Sequence, residues 1–436
     1  MAHWYRRVFL LALPLILSNL TQPLLATVDA VLSGHLPGAA ALGGVALGGI
    51  FFDTIYWSFG FLRMSTTGLV AQAHGAGEED ALRLHFLRAL LTAAAIGAVV
   101  LALKGPLITL AVRLLGASAD VAVNAQVYCH VRIWSAPAAL ANYAILGYLL
   151  GRQRARLALV LQAVINVVNV CVALTLVLRW HWGVAGIATG TAVAEWSGCL
   201  LGLGLVWRRE WLPLDWHALL HAPSLKEVFA LNFDILLRTI CLVSAYAWFT
   251  RAGAKEGDAV LAANAVLMNL HYVAAYGLDG FANATEALVG ESIGARKIED
   301  YRAVLRASTA WAFLVAGAVS LVYLVAGRWV VGLYTNVEAV RGLAMRYLPW
   351  AVALPVVSVL GFQMDGVFIG ATRGRELRDA MVTSLVVFLA LAVGLERWFG
   401  NSGLWCAFCV WMGVRGIALA VRLPRIEKRF EKPVTV

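Results

Sequence analysis

Charge is what this sequence has least of. Only 14% of its 436 residues are Asp, Glu, Lys or Arg, against roughly a quarter in a soluble domain, and that scarcity excludes a body folded in water. Phosphate-binding loops of the G-x-x-x-x-G-K-[ST] type are absent, which argues against direct use of ATP. Neither H-E-x-x-H nor Asp-Asp-x-x-Asp occurs, and His35, His74, His85, His130, His181 and His271 are scattered along the chain. A membrane-embedded metalloenzyme needs such groups clustered, so no enzyme, no metal site and no cofactor are expected. Six cysteines all fall inside apolar runs, which speaks against structural disulfides. Cys406 and Cys409 form a C-x-x-C, but within an apolar helix they read as packing residues.

What is abundant is apolar length. Hydrophobic residues make up 61% of the chain, in runs of about 20 residues, each long enough to cross roughly 30 Å of hydrocarbon as a helix. The runs are continuous rather than alternating, and in lipid the backbone must bond to itself, so an all-α polytopic membrane protein is expected and not a barrel. The predicted spans are 8–32, 41–71, 84–112, 123–150, 156–178 and 184–207, then 226–250, 258–291, 303–326, 338–371, 377–397 and 402–423. The first run is full length and lacks a small-residue cleavage site, so it is expected to stay as a helix.

The formal net charge of +10 reports topology, not a nucleic-acid partner. With the N-terminus inside, 22 Lys and Arg lie in the segments facing the cytoplasm and eight face the other side. The positive-inside rule then places both termini in the cytoplasm of a bacterial inner membrane, with lipid headgroups as neighbours.

The chain repeats itself. Residues 41–80 align without a gap on 260–299, sharing T-x-x-L-V-x-x-x-x-G-A at one helix end: Thr66, Leu69, Val70, Gly75 and Ala76 against Thr285, Leu288, Val289, Gly294 and Ala295. An even number of spans per copy gives two six-helix lobes related by a parallel repeat, with a cavity expected at their seam. The predicted division is a lobe over 1–207, a cytoplasmic interfacial linker over 208–225 anchored by Trp207, Trp211 and Trp216, a lobe over 226–423, and a basic tail over 424–436.

Several charges lie where lipid should exclude them: Asp29, Asp53, Arg63, Arg132, Glu195, Asp234, Arg238, Asp279, Glu286, Asp365 and Arg415. A charge at the bilayer centre costs about 2.5–3.5 kcal/mol, so such groups face the bundle interior and mark function or an ion pair. Asp234 and Arg238, one helical turn apart, are expected to pair. Asp29 is the sharpest case, because Pro14 and Pro23 precede it and each removes a helical hydrogen bond, allowing a bend. Burial favours a neutral carboxyl and opening to water releases its proton, so movement there can drive proton exchange. Asn166, Asn169, Thr191 and Glu195 offer polar partners, or simply hold helices together.

These segments resemble the multidrug and toxic compound extrusion (MATE) family, in its DinF-like branch. The resemblance spans nearly the whole chain, through ALPLILSNLTQPLLATVDAVLSGHL from Ala12, FGFLRMSTTGLVAQAHG from Phe59 and GRQRARLALVLQAVINVVNV from Gly151. It continues through VLAANAVLMNLHYVAAYGLDGFANATEALVGESIGAR from Val260 and MDGVFIGATRGRELRDAM from Met364. It implies a V of two lobes that open alternately and expel organic cations or amphipathic drugs in exchange for protons or, less favoured, sodium ions. Asp29 matches the family's first-helix carboxylate, Asn169 and Thr191 its polar partners, and Asp365 its helix-ten acid. Arg238, Asn264, Asp279 and Glu286 match positions of the carboxy-terminal lobe. The second Asp usual in helix five is Ala173 here, which leaves a two-carboxylate scheme to Glu195 or the other lobe. The alternative is a flippase for a lipid-linked or anionic amphipathic substrate, with Arg63, Arg132 and Arg238 as its cationic groups. A passive channel suits two rocking lobes less well, and a monomer in lipid is expected.

Overall fold

The computed structural model describes residues 2–114, 116, 118–210, 216–219 and 221–431. Among them there are helices and no strands. The chain runs α1 (Ala2–Leu20), α2 (Gln22–Gly34), α3 (Ala39–Ser58), α4 (Phe61–Ala76), α5 (Glu79–Ala102), α6 (Lys104–Leu114) and α7 (Ala119–Arg132). A single 3-10 turn, Ile133–Ser135, leads into α8 (Ala136–Gly151); α9 (Ala155–Leu174) ends in a π turn, Thr175–Arg179, before α10 (Gly183–Glu210) and α11 (Trp216–Leu219). Then follow α12 (Ala222–Lys255), α13 (Asp258–Gly294), α14 (Ile298–Tyr334), α15 (Glu338–Gly370), α16 (Gly374–Phe399), α17 (Asn401–Ala420) and α18 (Pro424–Glu431).

Eleven helical stretches among the described residues are long and apolar enough to cross a membrane. The span predicted at 8–32 is instead divided between α1 and α2, which meet at Thr21. Pro14 sits inside α1, and Pro23 falls in the first turn of α2, where a missing amide hydrogen leaves no bond unmade. Within the predicted linker over 208–225, α10 reaches Glu210, α11 covers Trp216–Leu219 and α12 starts at Ala222. Trp211 and the side chains of Trp207, Trp216 and Pro23 lie outside the described residues, as does the last part of the basic tail.

The backbone carries the repeat more plainly than the side chains do. Left-handed residues pair off at the same offset of 219 positions: Gly38 with Gly257, Gly77 with Arg296, Gln153 with Thr372, and His181 with Gly400. A left-handed residue at a helix end fixes the direction of the next helix, so the two copies turn alike even where only one keeps glycine. Packing repeats too. On α8, Gly147 and Gly151 let the helix lie against the Arg63 and Thr67 carbonyls of α4; on α15, Gly366 and Gly370 do the same against the Ala282 and Glu286 carbonyls of α13. Each of these four positions has its counterpart 219 residues away. Small residues four apart are what lets membrane helices approach at backbone distance. The first copy is the more broken of the two: it is interrupted between α1 and α2, between α3 and α4 at Phe59 and Gly60, between α5 and α6, and between α7 and α8, where α12, α13, α14 and α15 each run through.

Two compact units result. One contains Leu20–Val70 and Glu78–Val228. In it α3 packs on α7, α5 on α8, and α9 on α10, while α2 lies against α3, α9 and α10. The other contains Phe229–Val436 together with Met1–Asn19 and Ala71–Gly77. Its core is aromatic, with Phe249 4.8 Å from Trp405 and 4.9 Å from Phe408, ring centre to ring centre. The two early segments are held there by polar contacts. Arg7 Nη2 donates to both carboxylate oxygens of Glu291, at 2.8 and 2.7 Å, and Gln72 Nε2 donates to the Gly370 carbonyl at 2.8 Å. Gly75 lies on the Glu291 carbonyl and Gly294 on the Gln72 carbonyl. Since Gln72 and Glu291, like Gly75 and Gly294, are repeat partners, the α4 and α13 ends cross about a local two-fold axis.

Candidate functional site

The polar groups of the unit that begins at Leu20 gather around Arg132, at the last turn of α7. Its Nη1 donates to the Tyr128 hydroxyl at 2.8 Å, one helical turn earlier. Its guanidinium lies over the Phe52 ring at 4.6 Å and over the Tyr128 ring at 5.6 Å. Phe52, Tyr56 and Tyr128 are buried, and the Phe52 ring touches both tyrosine rings, so the cation lies against the π faces of Phe52 and Tyr128 with Tyr56 behind Phe52. Asp29 from α2, Asp53 from α3 and Glu195 from α10 are within electrostatic reach of it. Yet no carboxylate oxygen among the described residues comes within the 4.0 Å of an ion pair.

Asp29 itself is unengaged at one oxygen. Its Oδ1 is shielded from solvent and has no hydrogen-bond partner, while the Ser33 hydroxyl donates to the Asp29 backbone carbonyl, 2.7 Å away. Glu195 is occupied: Asn142 Nδ2 donates to its carboxylate at 2.8 Å and to its backbone carbonyl at 3.0 Å. Asn169 donates through Nδ2 to Thr191 Oγ1 at 2.9 Å, tying α9 to α10, and its own Oδ1 has no partner. Asn166 accepts from Gln162 on the same helix at 3.1 Å. Ala173 is fully buried against Gly190, and a Cβ on that glycine would stand 2.8 Å from the one on Ala173. The helix pair is closed at the position where the resemblance places a second carboxylate.

In the other unit the expected site residues separate into two groups. Asp365 on α15 is held by two arginines, Arg238 from α12 and Arg415 from α17, which donates at 2.6 Å; both bond to Oδ2. All three are buried. The predicted pair of Asp234 with Arg238 does not form. Asp234 turns instead to Arg378 at 2.6 Å, because α16 lies beside α12 there, and Arg238 points inward to Asp365. Asp279 shares the electrostatic surroundings of Tyr246 with Arg238 and Arg415, and Glu286 is buried two turns further along α13. Asn264 lies elsewhere. It exchanges hydrogen bonds with Asn401, at 2.7 and 2.9 Å, and accepts a third from Trp405 at 2.9 Å. This reciprocally bonded amide pair fastens α13 to α17.

Arg132 and Arg415 stand out in the sequence as charges in apolar helices, but what they gather is not legible there. For Arg132 one signal is local: Tyr128 stands four residues before it, on the same helix face. Phe52, Asn142 and Asn401 gave no signal, since an aromatic or an amide in an apolar helix is ordinary. Among the described residues there is no group of three or more His, Cys, Asp and Glu placed to hold a metal ion.

The MatE family model matches residues 14–175 and 235–395, one copy in each half of the chain. The chain is 41% identical to DNA damage-inducible protein F of Escherichia coli, over 94% of its own length and 90% of that protein's. It is 25% identical to the probable multidrug resistance protein NorM of Rhizobium meliloti, covering 98% and 94%. In three dimensions it matches a MATE transporter of Vibrio cholerae with a TM-score of 0.88 at 20% identity, covering 99% of each chain. Two matched six-helix lobes, a family model that fits each of them and likeness along nearly the whole length lead to one conclusion: the chain belongs to the MatE family, whose members are multi-pass membrane transporters driven by ion gradients and not enzymes.

Proposed function

We propose that this transporter is an antiporter that exports organic cations or amphipathic drugs in exchange for protons, and that Asp29 is the carboxyl through which the exchange is coupled. The supporting observation is a contrast between two acids. Asp365 is committed to two arginines, an arrangement that a buried group leaves only at a cost of about 3–5 kcal/mol. Asp29 keeps an unbonded, sealed oxygen, about two turns into α2, the short helix that begins at the break after α1. A group that must gain and lose a proton in each cycle needs that freedom, and a break in the helix allows it to reach water. Asn169, Thr191 and Glu195 are its supporting polar groups. Arg238, Asn264, Asp279, Glu286 and Asp365 shape the carboxy-terminal lobe, and Pro14 and Pro23 flank the bend.

The multidrug name borne by the Rhizobium meliloti relative supports the substrate class. A flippase for anionic headgroups is less well supported, since Arg238 already shares the Asp365 carboxylate with Arg415 and the Arg132 guanidinium is covered by aromatic rings. The protein acts in a bacterial inner membrane with both termini cytoplasmic, in keeping with the distribution of its basic residues. One proton moving down 100 mV releases roughly 2.3 kcal/mol, enough to sustain a gradient of about fifty-fold.

The test is efflux of a fluorescent cation from everted vesicles under an imposed proton or sodium gradient. The parent is expected to respond to protons, and Asp29→Asn to lose at least about 90% of that response. Undiminished export by the variant, or export driven by sodium alone, overturns the reading.

A further inference from the structure

Arg132 is the group that the coupling scheme leaves unused. A guanidinium deep in a helical bundle is expensive and is normally matched by a carboxylate. This one is held instead by the Phe52 and Tyr128 ring faces and a single neutral hydroxyl. Its Nε has no hydrogen-bond partner, and neither has the Oδ1 of Asp29, though both atoms are shielded from solvent. A buried donor and a buried acceptor of opposite charge thus lie in one neighbourhood without meeting.

Every element packed around α7 contributes to this balance. The charged and titratable groups within electrostatic reach of the guanidinium are Asp29 from α2, Asp53 and Tyr56 from α3, Tyr128 and Cys129 from α7 itself, Tyr143 from α8 and Glu195 from α10. Glu195 is already bonded to Asn142, and Lys104 of α6 stands over the Trp134 ring, 4.2 Å away. Asp29 and Asp53 are the acids left for Arg132 to take.

We infer that Arg132 is a tethered competitor for the transported cation: it covers the ring faces of Phe52 and Tyr128 while Asp29 is protonated, and leaves them for the Asp29 carboxylate once the proton has gone. The proposal rests on the reading of Asp29 as the coupling carboxyl. When Asp29 releases its proton to water, the new carboxylate draws the guanidinium off the rings, and the vacated π faces receive a lipophilic organic cation of delocalised or quaternary charge, the kind that aromatic frames hold. When Asp29 is protonated again, Arg132 returns and expels the cation. Proton and substrate then exclude one another without sharing a binding atom, which is the requirement for exchange.

Tetraphenylphosphonium binding to the purified protein, measured calorimetrically at pH 6 and pH 8, tests this. The parent is expected to bind about tenfold or more weakly at pH 6. Asp29→Asn, with a permanently neutral side chain, should bind weakly at both values. Arg132→Gln should bind at pH 6 nearly as tightly as the parent does at pH 8, and Arg132→Lys, which retains a tethered cation, should keep the parent's pH dependence. The decisive variant is Asp29→Asn with Arg132→Gln, in which the second change should restore the binding lost by the first. Phe52→Leu should weaken binding roughly threefold to thirtyfold, in proportion to one lost cation–π contact. If the double variant stays as weak as Asp29→Asn, the competitor role is overturned while the role of Asp29 stands. Should Asp29→Asn bind like the parent at both pH values, the reading of Asp29 falls and this inference with it.

Discussion

Asp29 and Asp365 look alike as residues in a sequence: single acids in apolar helices, each with glycine nearby. Their neighbours make them opposites. Replacing Asp365 with Asn leaves Arg238 and Arg415 buried without a counter-charge, so a loss of about 3–5 kcal/mol is expected. In detergent this should lower the thermal midpoint by roughly 3–5 °C. Asp29→Asn breaks no ion pair, and its midpoint should stay near the parent's although transport is lost. Circular dichroism melts of the two variants check this; equal destabilisation would show that Asp29 has a structural partner. The buried amides obey the same logic. Asn264 matches a position of the family's carboxy-terminal lobe, and its three hydrogen bonds to Asn401 and Trp405 make it a fastener between helices.

Helices in lipid gain little from the hydrophobic effect on meeting one another, so the closeness of their backbones decides where they cross. The α4 and α13 ends show this most clearly. At Gly75 a side chain would collide with the Glu291 carbonyl, and at Gly294 with that of Gln72. Backbone on both sides cannot yield as a flexible side chain can. Gly75→Val or Gly294→Val is therefore expected to cost at least about 1–3 kcal/mol and to reduce folded yield severalfold. Gly317→Ala on α14, where nothing lies within 4 Å, should be neutral or stabilising by roughly 0.5–1 kcal/mol, through reduced freedom of the unfolded chain. Size-exclusion profiles of the three variants are the measurement, and equal yields would remove the crossing from the account of stability.

The molecule as a whole is one helical plan used twice, but its cores do not follow the midpoint of the chain. Met1–Asn19 and Ala71–Gly77 cluster with the unit that begins at Phe229. Expressed alone, residues 1–212 would leave Arg7, Gln72 and Gly75 without their partners, so that fragment is expected to be degraded or aggregated. Co-expressed with residues 213–436 it should be rescued and should co-purify through a tag on either piece. Independent stability of the first fragment would mean that the ties to Glu291, Gly294 and Gly370 contribute little.

Much of this plan is determined by sequence alone, for a physical reason. Lipid imposes length, apolarity and internal backbone bonding on each span, and those are one-dimensional properties that can be read off a chain. The repeat was visible in the same way, from Thr66 with Thr285 and Gly75 with Gly294. Tertiary structure alone decided which charges meet. Arg238 stands four residues from Asp234 in the sequence yet bonds to Asp365 on another helix; Arg132 is one of eleven charges in apolar runs, and the Phe52 ring that lies under it comes from another helix. Electrostatic and cation–π partners are chosen by distance in space, over a few ångströms between helices far apart in the chain, and no spacing along a single strand of residues encodes that distance.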